Sequence, residues 1–330
     1  MRIFKLFLFC SLVVWAEFKL DIPQDINVSQ LEKIINNGWN ESNKTLNDLI
    51  VLNAERILPE ILEKIKEPFE KEKSTKENRF PIPKTNLRRE DYWFIVSYTK
   101  YLESNNNIDK SLKLNIEILK GLRNIEDTSM LSVIYSLIIE GIVRDGLSQL
   151  IATHEDLKKQ KSTEFKYLSN LFTVETSAFF TAMEGEKKFL SKAWDESAYQ
   201  EFVVKKYSIN YPNLMMDISR KIKKYNNLFY AKMFNVMKKE TPEAMNIYEK
   251  EMNKMRKENQ SHLNTIHFFI SSLWIKVKSL IGMEIKDFGY VSEYLARNLV
   301  YVATPKIDGL YEEYLKHIQK NKLFLEKLKN

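Results

Sequence analysis

Apolar residues recur at helical spacing along most of the 330-residue chain. The clearest stripe lies near the middle, where apolar positions fall at i, i+3, i+4, i+7, i+8 and i+11: Leu131, Ile134, Tyr135, Ile138, Ile139 and Ile142. This spacing places every member of the stripe on one side of an α-helix. It therefore predicts a helix that is buried along that side.

A second stripe begins at Leu46, and Pro59 is expected to end one helix there and to lie in the first turn of the next. The pattern then stops over residues 66–87. The stretch KEPFEKEKSTKENRFPIPK in this range has three prolines and dense charge, which is typical of a solvated linker or a long loop. We therefore predict an N-terminal helical segment at residues 17–65 and a main helical domain at residues 88–330.

The main domain is expected to begin with a helical hairpin. One helix covers Tyr92 to Glu103, three asparagines form the turn, and Asp109 is expected to cap the second helix. The pair is similar to a tetratricopeptide hairpin, although Ser111 replaces the small signature residue of that repeat and no period of about 34 residues returns. Further helices are expected at residues 165–183, 187–204, 213–239, 242–257, 262–281, 290–302 and 309–328.

Two places in this pattern raise alternatives. In EGIVRDGLSQL, Gly141 and Gly146 are expected to bracket a break, with Asp145 capping the helix that follows. These glycines would serve either the approach of the backbone to a ligand or, as we prefer, a close helix crossing or a hairpin turn. The apolar stretch HFFISSLWIKVKSLIG is interrupted by Lys276 and Lys278, so we predict a core helix and not a membrane span.

Composition favours helices over sheet. The chain has only 8 Gly and 8 Pro, and a body built on strands would need more turn glycines. We therefore predict an all-α fold, an irregular array of helical hairpins that is TPR-like, solenoid-like or an orthogonal bundle, with no significant sheet.

The first residues have the layout of a secretory signal peptide. Arg2 and Lys5 supply the positive charge, an apolar run ends at Trp15, and Ala16 is a small residue before Glu17. The run is too short to span about 30 Å of hydrocarbon. We expect residues 1–16 to be removed and the protein to lie in the periplasm or cell envelope; the alternative is an N-terminal membrane anchor.

Cleavage there would leave a chain with no cysteine, because Cys10 is the only one. Disulfides, thiolate metal sites and cysteine nucleophiles would then be excluded. The formal net charge of +7 permits anionic partners without requiring them. Export makes nucleic acid an unexpected partner.

No motif indicates catalysis, a cofactor or a metal. Of the four histidines, His262 and His267 lie about 140° apart on a helix and cannot hold a metal as an i, i+4 pair would. His267 is expected to be a hydrogen-bonded core residue and His154 to lie at a helix end. The tripeptide at 287–289 copies a kinase motif without its companions. Glu-Ser pairs at 41–42 and 196–197 lack the remaining signature of lytic transglycosylases.

One basic cluster is a candidate site. In NLMMDISRKIKKY, apolar positions form one side of a helix, and Arg220, Lys221, Lys223 and Lys224 spread over the rest of its surface. The preferred explanation is a solvated face balanced by nearby acids. The sharper hypothesis is a weak contact with an anionic membrane surface or an acidic partner.

Four stretches of the main domain are similar, in order and spacing, to an uncharacterised family of exported α-helical proteins of proteobacteria: GIVRDGLSQL, AMEGEKKFL, YPNLMMDISRKIKKY and the DGLYEEYLKHI that follows Pro305. The resemblance covers roughly residues 88–328. It implies a helical fold and an envelope location, and it brings no reaction, ligand or catalytic residue with it.

Taken together, these patterns predict a non-catalytic binding or scaffold module for a protein or peptide partner in the cell envelope. Catalysis needs convergent polar groups of particular types, and no such group stands out in the sequence. The alternative is an envelope hydrolase whose active site has no recognisable spacing.

Overall fold

The computed structural model describes residues 28–39, 44–66, 69–70, 84–85, 89–123, 130–154, 156–193, 212–239, 265–280, 289–303 and 308–329, with some helical residues between 246 and 257. We number the helices of these ranges in chain order: α1 (Val28–Asn37), α2 (Lys44–Lys66), α3 (Arg89–Ser104), α4 (Ile108–Arg123), α5 (Met130–Thr153), α6 (Leu157–Gln160), α7 (Ser162–Ser169), α8 (Ser177–Ala193), α9 (Pro212–Met237), α10 (Thr265–Leu280), α11 (Gly289–Ala303) and α12 (Asp308–Lys329).

The predicted all-α fold is confirmed. Over the described ranges, the extended structure consists of one antiparallel pair of two-residue strands, β1 (Phe69–Glu70) and β2 (Lys84–Thr85). Phe69 lies opposite Thr85 in this ladder. Both strands fall inside the predicted linker, so this ladder connects the two ends of that segment.

The chain divides into two compact units. Unit 1 comprises Met1–Phe179 and Tyr314–Asn330, and unit 2 comprises Phe180–Glu313. The boundaries between the units therefore fall within α8 and α12. The helices on either side of the predicted linker, α2 and α3, pack together inside unit 1. The sequence-based domain boundary at residues 66–87 stays a prediction.

Helix α3 lies at the centre of unit 1 and packs against α1, α2, α4 and α5. Eleven of its 16 residues are buried, because its sequence carries large apolar or aromatic side chains on every side. The predicted hairpin of α3 and α4 is confirmed, and Asn106 provides its turn with a positive φ of 59°. Asp109 does not cap α4: the helix begins at Ile108, and the carbonyl of Asn107 accepts its first hydrogen bond, from Ser111.

A buried polar cluster fixes this hairpin to α5. The Nζ of Lys100 donates to Glu103 Oε2 at 2.6 Å, to the carbonyl of Gly146 at 2.5 Å and to Gln149 Oε1 at 3.3 Å. Ser111 donates to the other oxygen of Glu103 at 2.7 Å. Burial lowers the pKa of Lys100, against the opposing charge and hydrogen bond of Glu103. Each charge in the cluster therefore has a partner inside the protein.

Helix α5 runs unbroken through both glycines, so the predicted break and the Asp145 cap are wrong. Asp145 is exposed in mid-helix. Gly146 is buried, and a Cβ there would lie 2.9 Å from Val96 Cγ1 of α3. This residue permits a close helix crossing, which is the explanation preferred from the sequence.

The buried side of α5 is also displaced from the predicted stripe. Tyr135, Ile139 and Ile142 are buried, whereas Ile138 is 40% exposed. Because Val143 and Leu147 are buried as well, the centre of the buried side is rotated toward them and Ile138 lies at its edge.

Pro59 does not end a helix as expected, because α2 continues through it to Lys66. A proline inside a helix removes one backbone hydrogen bond and crowds the carbonyl four residues earlier. Pro59 is exposed, and Ala54 and Ile65 on either side of it are buried in the same core. The packing of both halves of α2 therefore overrides the local preference for a break.

The single helix predicted for residues 165–183 is wrong. Helix α7 ends at Ser169, a turn covers residues 170–176, and α8 begins at Ser177. The amides of Asn170 and Leu171 bond back to carbonyls of α7. Thr173 in this turn contacts a buried carboxylate of α5, a tertiary contact that helical periodicity does not reveal.

Unit 2 is built around α9, α10 and α11. The predicted helices at 213–239 and 290–302 correspond to α9 and α11, and the one at 262–281 to α10, each within three residues of its predicted ends. The core of this unit contains residues of all three helices: Leu214, Met215, Ile218, Ile222, Ile275, Val291, Leu295, Ala296 and Val300. Helix α8 runs unbroken through residues 184–186, so the predicted gap between the helices at 165–183 and 187–204 is wrong. Residues 194–204 of the second predicted helix lie outside the described residues.

Candidate functional site

The four cations predicted as an anion-contact site lie on α9, and they differ in exposure. Arg220, Lys223 and Lys224 are exposed. Lys221 is only 22% exposed, and its Nζ lies 3.1 Å from Asp217 Oδ2. The guanidinium of Arg220 also pairs with Asp217. The contact of these side chains with an anionic surface stays a prediction.

Lys221 is engaged by α11. Its Nζ donates to Ser292 Oγ at 2.6 Å and to the carbonyl of Gly289 at 3.4 Å, and it lies 3.8 Å from Glu293 Oε2. Burial alone would raise the pKa of Asp217, but hydrogen bonds from Ser292, Arg220 and Lys221 outweigh it and lower that pKa. Lys221 therefore contributes to the contact between α9 and α11.

The contact between α9 and α11 continues one turn further along both helices. Tyr225 donates its hydroxyl to Glu293, and Arg297 donates to Glu293 Oε1 at 2.5 Å. The guanidinium of Arg297 also lies 4.7 Å from the centre of the Tyr225 ring, within the range of a cation–π contact. Burial would raise the pKa of Glu293, but these hydrogen bonds and the charges of Arg297 and Lys221 lower it. The network stabilises the packing of α9 on α11.

A more deeply buried charged cluster lies in unit 1, around Glu140 of α5. Its carboxylate is fully buried and accepts hydrogen bonds from Thr173 Oγ1 at 2.6 Å, from the Thr173 amide at 3.2 Å and from Asn321 Nδ2 at 2.9 Å. The guanidinium of Arg123 contacts Oε1. His317 Nε2 lies 3.2 Å from Oε2. Five donor groups therefore surround one carboxylate.

These partners decide the charge of Glu140. Burial would raise its pKa, but the hydrogen bond from His317, the charge of Arg123 and the hydrogen bond from Thr173 lower that pKa to about 2. At neutral pH the group is an anion with its lone pairs occupied, so it is poorly suited to accept a proton from a substrate.

His317 is the member of the cluster that could carry out chemistry. When its Nε2 donates to Glu140, the ring is held in one orientation and Nδ1 is the nitrogen able to accept a proton. Its side chain is 12% exposed. In the same cluster, Arg144 donates to Asn321 Oδ1 at 2.9 Å. This hydrogen bond helps to hold the Asn321 amide, whose Nδ2 donates to the carboxylate of Glu140.

The prediction of a core helix at HFFISSLWIKVKSLIG is wrong for the side chains that the structure describes. On α10, Ile270, Leu273, Trp274 and Val277 are 58%, 55%, 60% and 38% exposed. Ile275 alone among the described apolar side chains of this helix is buried, and it packs in the core with α9 and α11. We call the four exposed residues the apolar face of α10. The helix thus turns much of its apolar surface outward.

Other candidates from the sequence have structural or no described positions. His154 directly follows α5, as expected, and its amide donates to the carbonyl of Leu150. The side chains of His262 and His267, both Glu-Ser pairs and residues 287–288 lie outside the described residues. Within the described part of the chain, no three acidic, histidine or cysteine side chains are grouped so that they could hold a metal ion. None of the helices described there is long and apolar enough to cross a bilayer.

Comparison of the chain with protein-family models, with curated proteins and with solved structures found no match. The arguments for function therefore rest on the chain's own residues.

Sequence reasoning missed both the Glu140 cluster and the apolar face of α10. A signal for the first is present, because Glu140 and Arg144 stand four residues apart inside a largely apolar helix, and charges buried there must find partners. The residues that complete the cluster are distant in sequence and could not be paired with it. The second gives no sequence signal, because an apolar stripe looks the same whether it is covered or exposed.

Proposed function

We propose that this chain is a non-catalytic binding module of the cell envelope and that unit 2 binds a protein or peptide partner through the apolar face of α10. The supporting observation is the exposure of four large apolar side chains on one side of a single helix. Exposed apolar residues scattered singly are ordinary, whereas a contiguous group is typical of an interaction surface.

The test places a photoreactive amino acid at position 274 and captures the partner in the intact host envelope. The matched control carries the same amino acid at Asn235, which is exposed on α9 in the same unit. We expect one identified protein to be captured from position 274 and not from position 235. Its purified form should bind the purified chain, and Trp274→Ser should weaken that binding. If position 274 captures nothing beyond what position 235 captures, the proposal is wrong.

The location is part of the proposal. Residues 1–16, which lie outside the described residues, have the charge and apolar pattern of a signal peptide, and cleavage would release a chain that begins at Glu17 in the periplasm. Mass spectrometry of the protein purified from its host measures this directly. A chain that begins at Met1 in the membrane fraction would overturn cleavage and favour an N-terminal anchor.

One observation favours the alternative function, an envelope hydrolase. The 3.2 Å contact between Glu140 and His317 is the arrangement in which a carboxylate orients an imidazole that acts as a base. In that case His317 would activate a water molecule. The test compares wild type with His317→Ala on cell-wall glycan and peptide substrates. Activity in the wild type that falls at least about a hundredfold in the variant would favour the hydrolase.

A further inference from the structure

The apolar face of α10 has the spacing of a helix-packing seam. Ile270, Leu273, Trp274 and Val277 occupy positions i, i+3, i+4 and i+7, which cover an arc of about 100° over two helical turns. Ile275 on the opposite side is buried against its neighbours in unit 2. The helix therefore packs on its own unit with one side and presents a narrow apolar stripe on the other.

Lysines lie on both sides of this stripe. At 100° per residue, Lys276 and Lys278 are placed about 90–110° from the centre of the stripe, in opposite directions. Lys276 is exposed, and Lys278 extends its Nζ over the Trp274 ring at 5.7 Å. No residue of α10 is acidic. The flanks that α10 itself contributes beside the apolar face are thus positive.

We infer that the partner presents an acidic amphipathic helix, which packs along the apolar face of α10 and places carboxylates beside Lys276 and Lys278. The inference rests on the proposed function and specifies the chemistry of its partner. A stripe at i, i+3, i+4 and i+7 is the surface that a second helix covers by side-chain interdigitation. Opposite charges on the flanks of such a pair decide which helices associate.

Two other occupants fit this surface less well. A second copy of α10 would bring Lys276 and Lys278 of each copy toward those of the other and would be repelled. A helix that lies in a membrane surface keeps a strongly polar side toward water, whereas the side of α10 opposite its apolar face holds the buried Ile275. A helix of opposite charge satisfies both the apolar and the charged parts of this surface.

The experiment uses two designed peptides as probes. Both are amphipathic helices about three heptads long with the same leucine seam; one carries Glu on the flanks of the seam and the other carries Lys. Fluorescence anisotropy of the labelled peptides measures their binding to the full chain and to three variants. These are Lys276→Glu with Lys278→Glu, Trp274→Ser with Leu273→Ser, and, as a charge control in the turn directly after α9 of the same unit, Lys238→Glu with Lys239→Glu.

We expect the Glu-flanked peptide to bind wild type about tenfold more tightly than the Lys-flanked peptide, because two flanking pairs change from attraction to repulsion. The Lys276→Glu, Lys278→Glu variant should reverse this preference, and the Lys238→Glu, Lys239→Glu control should keep it. The Trp274→Ser, Leu273→Ser variant should lose both peptides. Because all the substituted side chains are exposed or at the rim, circular dichroism should show each variant folded.

Four results would overturn the inference. Two concern the peptides: the Glu-flanked peptide does not bind, or both peptides bind equally. The other two are binding of the chain to anionic vesicles and concentration-dependent dimerisation of the chain, if Trp274→Ser removes the binding or the dimerisation. The vesicle and dimer results would identify a lipid surface and a second copy as the occupant. Equal binding of both peptides, combined with specific capture from position 274, would leave the proposed function intact and remove only its acidic partner.

Discussion

A carboxylate without contact to solvent, such as that of Glu140, must be neutralised and hydrogen-bonded by the protein itself. Replacing it by Gln keeps the size but removes the negative charge, and its amide donors would face the donors of Thr173, Asn321 and His317. We expect Glu140→Gln to lower the free energy of unfolding by about 2–4 kcal/mol. Urea unfolding at pH 7 measures this.

The matched control is Glu326→Gln, at an exposed position of α12 in the same unit. It should change the free energy of unfolding by no more than about 0.5 kcal/mol. If the two variants lose equal stability, the network around Glu140 does not stabilise the unit.

The same carboxylate makes the stability sensitive to acid. Its pKa lies at about 2 in the folded protein, below the ordinary value of 4.5. A depressed pKa contributes stability that is fully present above pH 4.5 and is lost as the pH falls toward 2. We expect the stability of wild type to fall more steeply in this range than that of Glu140→Gln. Unfolding curves at several pH values test this, and parallel acid profiles for the two proteins would contradict it.

At the scale of the helices, two glycines of α5 differ in how much space surrounds them. A Cβ at Gly146 would lie 2.9 Å from Val96 Cγ1 on α3, whereas a Cβ at Gly141 would meet no atom closer than 3.6 Å. We expect Gly146→Ala to destabilise by about 1–3 kcal/mol through overpacking. Gly141→Ala should stabilise by about 0.5–1 kcal/mol, because alanine is the better helix former.

Thermal unfolding of the two single variants tests this opposite sign. Gly121 provides a more severe case, because a Cβ there would collide with the backbone carbonyl of Ile65 in α2. Backbone yields less readily than the tip of a side chain, so Gly121→Ala should be the least stable of the three. A stabilised Gly146→Ala would show that α3 and α5 can separate without cost.

Helical periodicity in the sequence predicted some elements accurately. It located α9, α11 and α12 to within two residues at each end, because long helices with one buried side repeat the pattern many times. It was wrong at Pro59 and at the Gly141 to Gly146 stretch, where packing on both sides keeps a helix continuous. It was also wrong at the turn before α8, where contact with Glu140 decides the structure. Tertiary contacts of this kind leave no local signature.

At the scale of the whole chain, the single cysteine yields a further test. Cys10 lies inside the predicted signal peptide, so the mature protein should contain no thiol. We expect protein purified from the host envelope to show no reaction with a thiol reagent after denaturation and no effect of reductant on its unfolding. Protein expressed from Met1 and left unprocessed serves as the control and should react once per chain. One equivalent of thiol in the envelope protein would contradict cleavage.

The candidate sites were harder to predict from the sequence than the fold. The cluster of Arg220, Lys221, Lys223 and Lys224 was visible as a run of charge, but the pairing of Lys221 with Asp217 and Ser292 needed the position of α11. Burial of Glu140 and exposure of Trp274 reverse the usual expectation for a charged and an apolar residue. Each depends on which helices are neighbours, and a pattern along one helix does not contain that information.

The enclosure of α3 by four other helices has a kinetic consequence. Fraying at the surface of unit 1 leaves the amide protons of this helix shielded, because its backbone becomes accessible to water only when α1, α2, α4 and α5 all separate from it. In deuterated solvent, α3 would therefore retain its protons longest within this unit. The exchange rate of these amide protons would report the cooperative opening of the unit. Measuring it in a variant would therefore show how a substitution elsewhere in the unit changes that opening.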